Sequence, residues 1–127
     1  MILKTIDAAD GPPAPPTYAN AMSVQGAEEI LYISGQIGVD GEGVAPPGFA
    51  EQAALIWSNI DAQLRAAGMT KDNLVKVTIF LSDRRYTEEY RAARDSYLEG
   101  RRIALTCIVC EIFDSAWLME IEAIAAR

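Results

Sequence analysis

Residues 104–125 read ALTCIVCEIFDSAWLMEIEAIA, and the alternation within this stretch decides the fold. Both arms have strand chemistry, with β-branched and apolar residues on either side of a polar turn at Asp114–Ser115. In the second arm Met119, Ile121, Ala123 and Ala125 alternate with Glu120, Glu122 and Ile124. Successive strand side chains point to opposite faces, so the two carboxylates leave the face that the apolar residues give to a core. Carboxylates so placed are solvated at an edge, paired at an interface or used for chemistry. In the first arm Leu105, Cys107 and Val109 share one face, and Thr106, Ile108 and Cys110 the other.

Working outward, the most strongly patterned element is 49–67, where Phe49, Ala53, Ile56, Trp57, Ile60, Leu64 and Ala67 fall on one helical face and Gly68 is placed as a stop. A strand follows to Leu81, with Val75, Val77, Ile79 and Leu81 inward and Lys76 and Thr78 opposite. A second helix is predicted over Thr87–Leu98, ended by Gly100. Tyr86, Tyr90, Ala93, Tyr97 and Leu98 would cover the sheet, and its charges, with Glu88–Arg91 and Arg91–Asp95 pairs, would form a solvated outer face. Upstream, Leu3–Ile6 is a short strand. Pro12, Pro13, Pro15 and Pro16 then force an extended loop that can hold Tyr18 in place. Residues 21–25 and 29–39 are expected to form a hairpin around Gly26–Glu28. Its second arm sets Leu31, Ile33, Gly35 and Ile37 against Tyr32, Ser34 and Gln36, and Gly35 either permits close approach by a ligand or another backbone or marks a bulge. The order β-β-β-α-β-α-β-β predicts one α+β domain over residues 1–127, with both helices on one face of a mixed sheet. The other face carries Tyr32, Ser34, Gln36, Thr78, Glu120 and Glu122. That mixture suits a subunit interface with a pocket in it.

Composition narrows the chemistry. The chain has no histidine, which removes Ser-His-Asp and Cys-His machinery and His-ligated zinc. Proton transfer must then use carboxylate, Tyr, Lys, Cys, backbone or water. A net charge of −7 with no basic stripe argues against nucleic acid as a partner. No long apolar run reads as a secretory signal or a membrane span, so the expected location is the cytoplasm, without membrane association. Cys107 and Cys110 have CxxC spacing, but three apart on a strand they face opposite ways and cannot share a metal or a disulfide. No metal or cofactor is expected.

Pro16-x-Tyr18, Ser34-Gly35-Gln36-Ile37, the strand to Leu81 followed by Asp83, Thr106-Cys107 and Glu120-Ile121-Glu122-Ala123-Ile124-Ala125 occur in this order across nearly the whole chain. In this the chain resembles the RidA family, also called YjgF. The resemblance implies a chorismate-mutase-like α+β protomer, assembled as a homotrimer with pockets between subunits. It also implies hydrolysis of a small-molecule enamine or imine with release of ammonia. Carried across, it gives Glu120 the attacking water, helped by the Cys107 backbone. The Gly35 N–H and the Thr106 region would contact polar groups of the substrate, and Tyr18 and Ser34 would line the pocket.

One position departs from the family pattern. The family places Arg before Ser/Thr-Cys to clamp a substrate carboxylate, and this chain has Leu105 there. Arg102, or an arginine of a neighbouring subunit, is the candidate replacement, although strand alternation sets Arg102 opposite Leu105. Two functions therefore stand beside each other: a hydrolase or deaminase using Glu120, and a non-catalytic trimeric protein binding an apolar or neutral metabolite beside Leu105. A third, the endoribonuclease activity attached to the family name, fits the acidic chain least.

Overall fold

The computed structural model describes residues 1–127. Its elements follow the expected order: β1 (Ile2–Ile6), β2 (Ala21–Gln25), β3 (Ile30–Ile37), α1 (Phe49–Ala66), β4 (Leu74–Leu81), α2 (Thr87–Leu98), β5 (Ala104–Val109) and β6 (Met119–Ala126). A mixed four-stranded sheet runs β3-β6-β4-β5, and β1 and β2 form a separate antiparallel ribbon. β4 and β5 are parallel because α2 carries the chain from the end of β4 back to the side where β4 began, as a parallel pair requires.

Two expected pairings are replaced. The hairpin of 21–25 with 29–39 does not form: β2 pairs with β1, and β3 pairs with β6. Residues 26–29 instead turn toward the C-terminus, where the Glu28 and Glu29 N–H groups donate to Arg127 O at 2.7 and 3.0 Å. Nor are β5 and β6 neighbours across a short turn, because β4 lies between them. The connecting loop crosses the end of β4, with Cys110 N–H donating to Leu81 O and Ser82 N–H donating to Leu118 O, both at 3.0 Å.

The predicted inner face of β6 holds, with Met119, Ile121, Ala123 and Ala125 all buried. Against it pack Ala53, Ile56, Trp57, Ile60 and Leu64 of α1 and Tyr90 and Leu98 of α2. Each fully buried Ile or Leu stabilises the fold by roughly 1.5–3 kcal/mol relative to exposure. Phe49 stacks on Tyr86 with centroids 4.6 Å apart, and Trp57 on Tyr97 at 4.4 Å. Gly68 sits at φ +71° past the end of α1, as its stop position requires.

Two bulges shift side chains from the simple alternation. One lies between Leu74 and Lys76, so Leu74 rather than Val75 takes the buried position. The other lies between Ile33 and Gln36, which pair with Ala123 and Ile121. The extra residue reverses the parity of β3 from that point. Ile37 pairs with Glu120 and so shares the uncovered face, and Gln36 moves to the helix side. Gly35 is turned toward Glu120, and beyond the strand Gly38 lies against α1, where a Cβ would come within 2.6 Å of Gln52 Cα.

Gln52 is the polar exception in the core, almost wholly buried. Its Nε2 donates to Pro46 O (2.8 Å) and Ala116 O (2.9 Å), and its Oε1 accepts from Leu118 N–H (2.9 Å). One side chain thus fixes both long loops and the entry to β6.

Candidate functional site

Register places Glu120 beside Ile37 of β3 and Phe80 of β4, and Phe80 beside Ile108 of β5. Directly paired residues share a face, so Glu120 lies on the face that no helix covers, with Thr78, Thr106 and Glu122. A Cβ at position 35 would overlap the Glu120 carboxylate, reaching within 2.7 Å of its Cδ. Glycine is what lets the carboxylate lie across β3 at the bulge. Glu120 also borders a cavity of about 270 Å³ with Phe80, Cys110, Glu111, Ile112 and Phe113. Ser34 lines a different cavity on the sheet, with Tyr32, Lys76, Thr78 and Glu122. The arginines preceding β5 do not reach the carboxylates: Arg101 pairs with Asp72 at 2.6 Å and Arg102 with Asp7 at 2.8 Å. Glu120 and Glu122 are left without an ion pair in the chain.

A second group gathers on the helix side of the β5 edge. Leu105 and Cys107 pair with the buried Val77 and Ile79, and so point toward α2. They line a groove of about 370 Å³ with Tyr18, Tyr90, Arg84, Arg91 and Arg94. Tyr18 arrives there because the proline loop is pinned. Arg102 Nε donates to Pro15 O and Tyr18 O at 3.1 Å, Arg94 Nη2 donates to Thr17 Oγ1 at 3.1 Å, and Ala19 N–H donates to Ile103 O at 2.9 Å. Asp7 accepts from Asn20 N–H at 2.9 Å, and this bond, with Arg102, holds its carboxyl below the usual range. Arg102 therefore anchors the Tyr18 loop and is not the cation that replaces the missing clamp.

The groove also contains what the sequence pattern hid. Arg94 belongs not to a solvated outer face but is 6% exposed, with Nη1 donating to Tyr90 Oη at 3.0 Å and Nε to Asp95 at 3.0 Å. Asp95 thus serves Arg94 and not Arg91, while Arg91 keeps its 3.7 Å contact with Glu88. Tyr90 and Arg94 are four apart, so the helical period that buries Tyr90 buries Arg94 as well. Burial pushes the Tyr90 hydroxyl up to about 12, with Arg94 opposing the shift. It therefore stays protonated, in the groove that Cys107 also lines. The Cys107 thiol is in turn raised by burial, while the Tyr90 hydrogen bond, Arg94 and Arg91 pull it back.

A raised thiol is protonated through neutral pH and gains reactivity only as pH climbs through its folded pKa. In a Cys110→Ser background, alkylation of Cys107 should show a midpoint above the ordinary cysteine value of about 8.5. Tyr90→Phe should move that midpoint further up, since it deletes a donor that favours the thiolate. A Tyr90→Phe midpoint at or below the parent's would contradict the network.

Within the chain the structure thus brings Tyr18, Leu105 and Cys107 together, and separately brings Gly35 to Glu120. Thr106 faces the Glu120 side. The two groups lie on opposite faces of the sheet. Leu105 is level with Ala123 of β6, three residues or roughly 10 Å along the strand from Glu120. No group of His, Cys, Asp or Glu side chains is arranged to hold a metal ion. No helix is long and apolar enough to cross a membrane.

A two-helix, mixed-sheet domain with an uncovered carboxylate-bearing face and a groove at its strand edge defines the class. The chain belongs to the endoribonuclease L-PSP family, the group of the RidA and YjgF proteins, whose model matches residues 9–127. It is 31% identical over 129 aligned positions to a Rattus norvegicus protein named 2-iminobutanoate/2-iminopropanoate deaminase, covering 100% of this chain and 92% of that one. A RutC family protein of Aquifex aeolicus is 40% identical over 83 residues, 65% of this chain and 64% of that protein. Among solved structures, the Rid family protein YyfB of Yersinia pestis superposes with a TM-score of 0.84 at 22% identity over the full length of both chains. RidA of an Antarctic Psychrobacter gives 0.73 at 29% identity, covering 98% of this chain and 99% of that one.

Proposed function

We propose that this protein is a cytoplasmic hydrolytic deaminase of small imines and enamines, working in clefts between the subunits of a homotrimer. The reaction adds water oxygen to the C=N carbon, moves protons to nitrogen and breaks the C–N bond, so that a carbonyl compound and ammonia leave. Glu120 holds the water and takes its proton, and the backbone of Cys107 helps to orient it. The Gly35 N–H and Thr106 meet polar groups of the substrate, and Tyr18 and Ser34 wall the cleft. The observation that carries this reading is the carboxylate of Glu120, set across a glycine, free of any ion pair, on a sheet face left bare by both helices. That it and the Tyr18–Leu105–Cys107 groove lie on opposite faces favours a cleft assembled from two copies, each giving one half.

The alternative is a trimeric binding protein without turnover, favoured by Leu105 where the family pattern has an arginine. RNA cleavage is the weaker reading, because a chain of net charge −7 repels a phosphate backbone. Ammonia release from imines generated in solution, measured beside the mass of the particle, separates these. Turnover by a trimer supports the deaminase. Ligand binding without ammonia supports the binding protein, and a folded, active monomer overturns the shared cleft.

A further inference from the structure

The groove beneath α2 is charged in a way that the rest of the chain is not. Arg84, Arg91 and Arg94 line it, three of only eleven basic residues in the chain, and no carboxylate lines it with them. With Thr87 they form one stripe at spacings of three, four and three. Arg94 is nearly spent on Thr17, Tyr90 and Asp95, which fixes its charge in place and leaves few donors. Arg84 takes part in no ion pair, and Arg91 has only the distant contact with an exposed Glu88. Two guanidinium groups therefore stand with donors open at the mouth, while Leu81, Leu105 and Val109 give the floor an apolar surface.

We propose that Arg84 and Arg91, backed by the buried Arg94, form the anion clamp of this protein, so that the ligand's carboxylate is held from α2 and not from position 105 of β5. The ligand is then a small amphipathic carboxylate, its anionic head on the two open arginines and its short apolar body on Leu105. This deepens the deaminase reading and rests on it, since it makes the substrate an imino acid. Leu105 fits the geometry: a guanidinium on β5 beside three others, with no carboxylate between them, would repel its neighbours, whereas leucine gives the body of the ligand a dry seat. Planar bidentate pairing with a carboxylate is what arginine does best.

The test uses the intact protein and the unreactive product analogue 2-oxobutanoate, with neutral 2-butanone as control, followed by calorimetry or ligand-observed NMR. Wild type should bind 2-oxobutanoate at least tenfold more tightly than 2-butanone, and the preference should shrink between 50 and 300 mM salt, as expected where the Debye length falls toward about 6 Å. Arg84→Ala/Arg91→Ala alters two exposed side chains and should lower 2-oxobutanoate affinity at least tenfold and raise KM for imino acids by a similar factor. Equal affinity for both probes in wild type, or unchanged 2-oxobutanoate binding in the double variant, overturns the clamp. Clamp-dependent binding with no ammonia release keeps the clamp and removes the deaminase. Turnover with an unchanged KM in the double variant keeps the deaminase and removes the clamp.

Discussion

Glu120→Gln is expected to cut ammonia release from small imines by at least about 100-fold, the usual scale for losing a positioned general base, while fold and oligomeric mass stay as they are. Glutamine has the same shape, so Gly35 still accommodates it and the strand keeps its register with Ile37 and Phe80. What disappears is the charge that accepts a proton from water. A 100-fold loss is about 2.7 kcal/mol of transition-state stabilisation. Because Glu120 has no ion pair within its own chain, removing its charge strands no partner cation, and a folding defect cannot masquerade as the catalytic one. Binding of 2-oxobutanoate should change little, since its anchor lies at the arginine groove. Turnover within threefold of wild type would remove Glu120 from the reaction.

The second large effect concerns stability. Gln52→Leu should lower the unfolding free energy by about 3 kcal/mol, and the midpoint temperature by roughly 10 °C, in a chain of this size. Leucine nearly matches glutamine in volume, so little of this comes from a cavity. The cost arises from Pro46 O, Ala116 O and Leu118 N–H, which all lose their partner at once. Leu118 stands two residues before Glu120, so the variant should also show a looser active site, with kcat falling more than melting alone explains. A shift under about 3 °C would mean that water takes over all three contacts. Thermal melts followed by circular dichroism decide it.

Helix boundaries and the faces of β6 were legible because each rests on a local rule. The 3.6-residue period and Gly68 delimit α1, and strict alternation separates Met119 and Ile121 from Glu120 and Glu122. Pairing was not legible in the same way. Residues 21–25 and 29–39 are close in sequence and look like a hairpin, yet β6 offers β3 a longer apolar match and β1 satisfies β2. The bulge at 33–36 left no composition signal beyond Gly35, so Gln36 and Ile37 were assigned to the wrong faces. Tyr18, Leu105 and Cys107 emerged as one group because their residue types resemble a family pattern, and the register of β5 brings them together. Arg84, Arg91 and Arg94 lie seven and three residues apart, which makes no basic run in the sequence, and charge on a helix is ordinarily solvated. Only the packing of Tyr90 shows that Arg94 turns inward.

The opposite placement of Glu120 and the groove bears on complementation as well as on catalysis. In the proposed trimer each cleft draws its carboxylate from one chain and its groove from another, so that a defect would belong to a pairing of chains and not to a single chain. Two variants, one lacking Glu120 and the other disabled only at the groove, would each be inactive alone. Expressed together in equal amounts they should restore about one cleft in four, by random assembly of a symmetric ring.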